Sequence, residues 1–87
     1  MVSQTFIITN QNGLHARPAG ELAKIASTCS SDIMLRVGEK RVNPKSILNI
    51  MAAAIRCGTE IEIECTGASE EEDLKKLCEA IEQGLGE

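Results

Sequence analysis

His15 is the only histidine in the chain, and Arg17 and Pro18 follow it within three positions. From Glu21 to Ala26 the residues are mostly good helix formers. Proline is favoured in the first helical turn, where its missing N–H costs nothing. His15 therefore precedes or opens a helix. Helix N-termini present free backbone N–H groups and the positive end of the dipole. With an imidazole and a guanidinium beside it, such an end is suited to binding an anion. An imidazole placed there can serve as a general base, a metal ligand or a phosphoryl acceptor. General-base work calls for a nucleophile or an orienting carboxylate nearby, and no acidic residue lies within five positions of His15. A metal would need companion ligands that the local sequence lacks. Phosphoryl transfer asks least: a neutral ring nitrogen, donors for three oxygens, and positive charge. The backbone N–H groups of Ala16 and Arg17, the Arg17 guanidinium and the helix dipole would supply these. The plainest alternative is that His15 only caps the helix and Arg17 is a surface charge. The local residues leave both readings open.

Composition narrows the setting. Eighty-seven residues, 43% hydrophobic and 25% charged, suit one small domain with a single core. Phe6 is the only aromatic residue, which argues against the base stacking that single-strand nucleic-acid binders use. The net charge of −4 is unevenly spread. Residues 1–58 hold seven Lys/Arg against three Asp/Glu, a net of +4, whereas residues 59–87 hold two against ten, a net of −8. The half with His15 is basic and suits an anionic ligand or an acidic partner. No run is long and apolar enough to span a membrane, and no secretory h-region is present, so a cytoplasmic protein without membrane insertion is expected. Cys29, Cys57, Cys65 and Cys78 show no CxxC spacing. Three of them fall on or near the apolar phase of expected elements, so buried free thiols are a better reading than zinc ligands, and no cofactor or metal is expected.

Elements must then place His15. Thr5–Thr9, starting near Val2, is β-branched and aromatic, a first strand ended by the turn residues Asn10–Gly13. The first helix is expected from Ala16 to Thr28, with Ala19, Leu22, Ala23 and Ala26 on one face. Ile33, Leu35 and Val37 alternate with polar or flexible residues, and Gly38-Glu39 turns this strand into Lys40–Asn43 as a hairpin. Ser46 is a good N-cap for a short helix over Ile47–Ile55, closed by Cys57-Gly58. That helix is apolar almost all round and cannot bury every side, so Ile47, Leu48 and Met51 are expected to form an exposed contact patch. Glu60–Cys65 alternates isoleucine inward and glutamate outward. Ser69–Glu72 reads as a capping box with a solvated acidic start, and Leu74, Leu77, Cys78, Ile81 and Leu85 form the stripe of a last helix ended by Gly84 or Gly86. The order β-α-β-β-α-β-α with one-sided strands implies an α+β fold. It would be a two-layer α+β sandwich: a four-stranded, mostly antiparallel sheet with three helices on one face.

Two stretches carry a resemblance. Gly13-Leu14-His15-Ala16-Arg17-Pro18-Ala19 resembles the active-site signature of the HPr family, the histidine-containing phosphocarriers of the bacterial phosphotransferase system, and Val42-Asn43-Pro44-Lys45-Ser46-Ile47-Leu48 resembles its regulatory serine site. The resemblance covers essentially the whole chain, as a single HPr-like domain over residues 1–87, and implies an open-faced two-layer β-sandwich with a sheet of order 1-4-2-3. It implies that His15 accepts phosphate on Nδ1 from phosphorylated enzyme I, which takes it from phosphoenolpyruvate. His15 then passes it to the IIA unit of a sugar permease, with Arg17 balancing the charge. It implies Ser46 as the target of an ATP-dependent HPr kinase/phosphorylase, and Ile47, Leu48 and Met51 as the docking patch, with Gly20 beside it. Such a protein is a stoichiometric, monomeric carrier rather than a turnover enzyme. The alternative is a regulatory binding module, a corepressor of a catabolite-control transcription factor when Ser46 is phosphorylated. Purely regulatory paralogues replace the active-site histidine, and His15 is present. Three positions depart from common family residues: Gly20 where threonine is frequent, Pro44 where an aliphatic residue is usual, and Asn49 where a basic residue often helps contact enzyme I.

Overall fold

The computed structural model describes all 87 residues. Strands β1 (Val2–Ile7), β2 (Asp32–Val37), β3 (Lys40–Val42) and β4 (Glu60–Thr66) form one sheet. The helices are α1 (Ala16–Ser27), α2 (Ile47–Ala52) and α3 (Glu70–Glu82). Strand order is β1-β4-β2-β3, and every neighbouring pair is antiparallel. The element order, the hairpin and the 1-4-2-3 sheet agree with the sequence reading.

Period-two patterning fixes the sheet's inner face. Ile33, Leu35, Val42, Ile61, Ile63 and Cys65 point into one core with Leu22, Ile50 and Leu77 from the three helices. Fully burying each large aliphatic side chain is worth roughly 1.5–3 kcal/mol. On the open face Arg36 lies 3.4 Å from Glu64 and 3.8 Å from Glu62. Exposed pairs of this kind contribute about 0.2–1 kcal/mol, so packing rather than pairing decides the fold.

Several boundaries differ from the sequence expectation. Strand β1 ends at Ile7, although Ile8 still exchanges backbone bonds with Thr59 and Gly58. Helix α2 stops at Ala52, with Ala53 as its C-cap, and does not reach Ile55. Ala54 takes the left-handed conformation (φ 52°), a cost of roughly 1–2 kcal/mol for a residue with a Cβ. The turn frees the Ile55 carbonyl to accept the Leu14 N–H at 2.9 Å. Cys57-Gly58 therefore forms the turn into β4 rather than closing α2. All four cysteines are free; Cys29 and Cys65 are buried, Cys78 is half-buried, and Cys57 is exposed. Burial pushes the Cys65 thiol up to about 11, so it stays protonated at neutral pH.

The start of α3 is also built differently. Ser69 makes no side-chain cap, so the capping box with Glu72 does not form. Ser69 Oγ instead donates to Asp73 Oδ2 at 2.9 Å. Asp73 is buried, and it also accepts from the backbone N–H (3.0 Å) and the hydroxyl of Ser31. The carboxylate that follows the solvated acidic start thus ties α3 to the loop before β2. Lys45 Nζ reaches the same loop at the carbonyls of Ser31 (3.2 Å) and Cys29 (3.4 Å).

Hydrogen bonds from Ser31, then from Ser69, hold the Asp73 carboxyl below the usual carboxylate range. A carboxylate depressed on folding stabilises above its unfolded pKa, and loses that contribution as pH falls through the folded value. Asp73→Asn should therefore be less stable than the unsubstituted protein at neutral pH. Urea midpoints measured from pH 7 downward should converge below the ordinary carboxylate range.

Candidate functional site

His15 is the N-cap of α1, in extended conformation (φ −78°, ψ −166°), and its carbonyl accepts the Ala19 N–H at 2.9 Å. No side chain caps the helix start. The N–H groups of Ala16 and Arg17 thus have no acceptor within the helix, and Pro18, buried at the third position, has none to satisfy. The end is an unfilled donor pair with the dipole behind it.

The His15 ring is about two-fifths exposed, and its Nε2 lies 2.8 Å from Glu87 Oε2. The hydrogen bond from Asn10 and those with His15 hold the Glu87 carboxyl below the usual range, so it is ionised at neutral pH. A carboxylate can only accept. Nε2 therefore carries the proton, and in the neutral ring the lone pair sits on Nδ1. Glu87 orients the imidazole and fixes its tautomer.

Sequence reasoning did not find Glu87, because it lies 72 positions from His15. The fold delivers it through the end of α3. Gly84 (φ 89°) follows the C-cap Gln83, the Gly84 N–H bonds Ile81, and the Leu85 N–H bonds Ala80. This pair of bonds is a Schellman turn, which sends Leu85 into the core and turns the chain back. Asn10 then clamps the returning segment, donating to the Gly84 carbonyl at 2.9 Å and Glu87 Oε1 at 3.0 Å. The signal was partly legible, since a glycine after the last apolar position marks such a reversal.

From the other side, Gly13 positions His15. Its φ is 67°, and a Cβ there would lie 2.2 Å from the Ile55 carbonyl oxygen and 2.8 Å from Arg56 Cα. Only glycine permits this approach. The contact lays residues 12–15 across the segment after α2. His15 consequently shares a shallow surface depression with Asn12, Met51, Ala54 and Arg56.

Arg17 is exposed, and its guanidinium runs beside Gly86. Ser46 caps α2, its Oγ accepting from the Asn49 N–H (3.2 Å) and Asn49 Nδ2 (3.0 Å). Ile47, Leu48 and Met51 are exposed while Ile50 is buried, so one apolar side of α2 faces outward next to His15. Gly20 lies where α1 meets α2, with Ile47 Cδ1 4.0 Å from the position of an added Cβ. The structure thus groups His15, Arg17, Gly20 and the α2 patch at one end of the molecule, with Ser46 at the far end of α2 from Met51. No three His, Cys, Asp or Glu side chains converge as metal ligands would. No helix is long and apolar enough to cross a membrane.

The family model for the PTS HPr component phosphorylation site matches residues 2–83. The phosphocarrier protein HPr of Mycoplasma capricolum is 48% identical over 85 residues, covering 98% of this chain and 91% of that protein. The HPr-like protein Crh of Bacillus subtilis is 36% identical over 83 residues, 95% of this chain and 98% of Crh. The crystal structure of HPr-C-His from Thermoanaerobacter tengcongensis superposes with a TM-score of 0.94 at 40% identity, covering 100% of this chain and 98% of that one.

Replacing Gly13 by alanine forces a Cβ into the Ile55 carbonyl at positive φ. The cost should be at least about 2 kcal/mol, read as a lowered urea midpoint.

Proposed function

This chain belongs to the HPr family, and we propose from that membership that it relays a phosphoryl group on His15 within the phosphotransferase system. The observation that carries the reading is the His15 ring itself: Nε2 is held by Glu87, which leaves Nδ1 as the nucleophile beside an open helix end. The Nδ1 lone pair attacks the phosphorus of phosphorylated enzyme I. The bond from phosphorus to the donor breaks as the new P–N bond forms. The ring takes up positive charge, which the Glu87 carboxylate stabilises through the Nε2 proton. The Ala16 and Arg17 N–H groups and the Arg17 guanidinium hold the phosphoryl oxygens. The second step runs the same geometry in reverse, to a IIA component. The protein ends each cycle unchanged and is a carrier of phosphate, not a turnover enzyme.

In this proposal the exposed side of α2 docks enzyme I and IIA, with Ile47, Leu48 and Met51 as apolar contacts. Ser46 is the regulatory site for an HPr kinase/phosphorylase. A phosphate at its position would meet the start of α2 without disturbing the core, because Ser46 and its neighbours Lys45 and Ile47 lie at the surface. It would add about two negative charges beside the docking side. That charge would repel an acidic partner surface, with no change of shape. The similarity to Crh favours a second role, in which the Ser46-phosphorylated form binds a catabolite-control transcription factor.

Incubation with phosphoenolpyruvate and catalytic enzyme I should give an acid-labile, base-stable phosphate. His15→Ala should give none; labelling that persists in this variant would refute the assignment. Ser46→Asp should slow phosphorylation at low salt by roughly three- to tenfold. The gap should close as salt rises, and an unchanged low-salt rate would remove Ser46 from regulation.

A further inference from the structure

The charge balance at His15 is incomplete with one arginine. A phosphoryl group brings about two negative charges, and it would arrive beside the Glu87 carboxylate, which is already ionised. The imidazolium formed on transfer offsets one of these charges, the helix end offers roughly half a positive charge, and Arg17 one more, so the sum stays slightly negative. A second cation is called for, and one is present. Arg56 borders the same depression as His15. Its backbone is fixed twice: its N–H donates to Thr59 Oγ1 at 3.2 Å, and its carbonyl accepts the Thr59 N–H at 3.0 Å. The Gly13 approach then sets Arg56 Cα directly against the loop that bears His15.

The Arg56 guanidinium is exposed and has no partner. No carboxylate of the chain pairs with it, whereas Arg36 in the same net-acidic molecule has two. Arg17 is free in the same way. Two arginines without a carboxylate partner thus flank His15, Arg17 two positions along the chain and Arg56 in the shared depression, and the remaining ring nitrogen is open. We propose that Arg56 is a second phosphoryl-binding residue, which closes on the phosphate carried by His15 from the side of the α2 turn. The proposal rests on the phosphocarrier reading and adds to it a residue outside both signature stretches. Its effect is on the stability of the phosphorylated form, because the anion it meets exists only after transfer.

An equilibrium measurement separates this role from partner docking, since a catalyst's affinity cannot move an equilibrium. The protein is brought to equilibrium with phosphoenolpyruvate and pyruvate through catalytic enzyme I, and the ratio of phosphorylated to free protein is read by mass spectrometry. Arg56→Gln should lower that ratio about three- to tenfold at low salt, with the loss shrinking as salt rises. Arg56→Lys should recover most of it. Thermal unfolding of both variants should match the unsubstituted protein, since the side chain is exposed. A normal ratio in Arg56→Gln, with only the approach to equilibrium slowed, would make Arg56 a docking residue and overturn the inference. Absence of phosphorylation in the unsubstituted protein would instead overturn the phosphocarrier reading beneath it.

Discussion

The His15 end of the molecule depends on one close approach between two backbones. Gly13 lies against Ile55 and Arg56 at a distance no side chain would allow, and the Leu14 N–H closes the contact on the Ile55 carbonyl. Everything nearby follows from it. Leu14 is buried, which seats the loop on the core, and His15 is left at the rim as the N-cap of α1. The same contact explains why α2 is short. Ile55 must present its carbonyl to Leu14, so the helix ends early and Ala54 accepts a left-handed backbone despite its Cβ. A strained residue next to a site is maintained only where its surroundings over-determine it, and here the buried Ile50, Ala53 and Ile55 do so on both sides of Ala54.

Charge is divided along the chain, and the fold uses the division. The acidic half supplies carboxylates that do structural tasks: Asp73 gathers Ser31 and Ser69, and Glu62 and Glu64 face Arg36 across the open sheet. Glu87 is the one residue of the acidic half carried to His15, where it meets Nε2 of the imidazole. Arginines near His15 are left without partners. A permanently paired guanidinium would have to break that pair before it could meet a phosphate. An unpaired one is ready, at the cost of leaving positive charge uncompensated in the resting protein. That arrangement suits a phosphate held briefly, because exposed charge pairs in water are worth only about 1 kcal/mol or less each.

Much of this was legible in the sequence because the patterns involved are local. Alternation of isoleucine and glutamate in β4 dictates its buried face, and proline at the third position of α1 places His15 at the helix start. The separation of Ile50 from Ile47, Leu48 and Met51 on α2 follows from helical spacing and from the impossibility of burying an all-apolar short helix. What escaped reading was non-local. Asp73, just past the acidic start, carried no signal, since nothing nearby in sequence shows that Ser31 will face it. Glu87 and Arg56 reach His15 only through a chain reversal and a tight contact. The same holds for the end of α2: propensity over Met51–Ile55 favours helix, and a hydrogen bond to a residue 41 positions away overrides it.

The geometry of α2 joins the two signature stretches into one surface. Ser46 caps its first turn, Met51 lies in its last, and the depression containing Met51 also contains His15. A helix of six residues is about 9 Å long, close to the screening length at physiological salt. Charge placed at Ser46 is therefore damped, though not abolished, at the His15 end, but acts at full strength on whatever lies across α2. In the proposed function, electrostatic influence of Ser46 on His15 would thus pass mainly through a partner docked across α2, and only weakly through the protein itself. The packing beneath α2 agrees with this division: Ile50 is fully buried and Ser46 is engaged by Asn49, so the helix is anchored to the core at the same time as its outer side is left open.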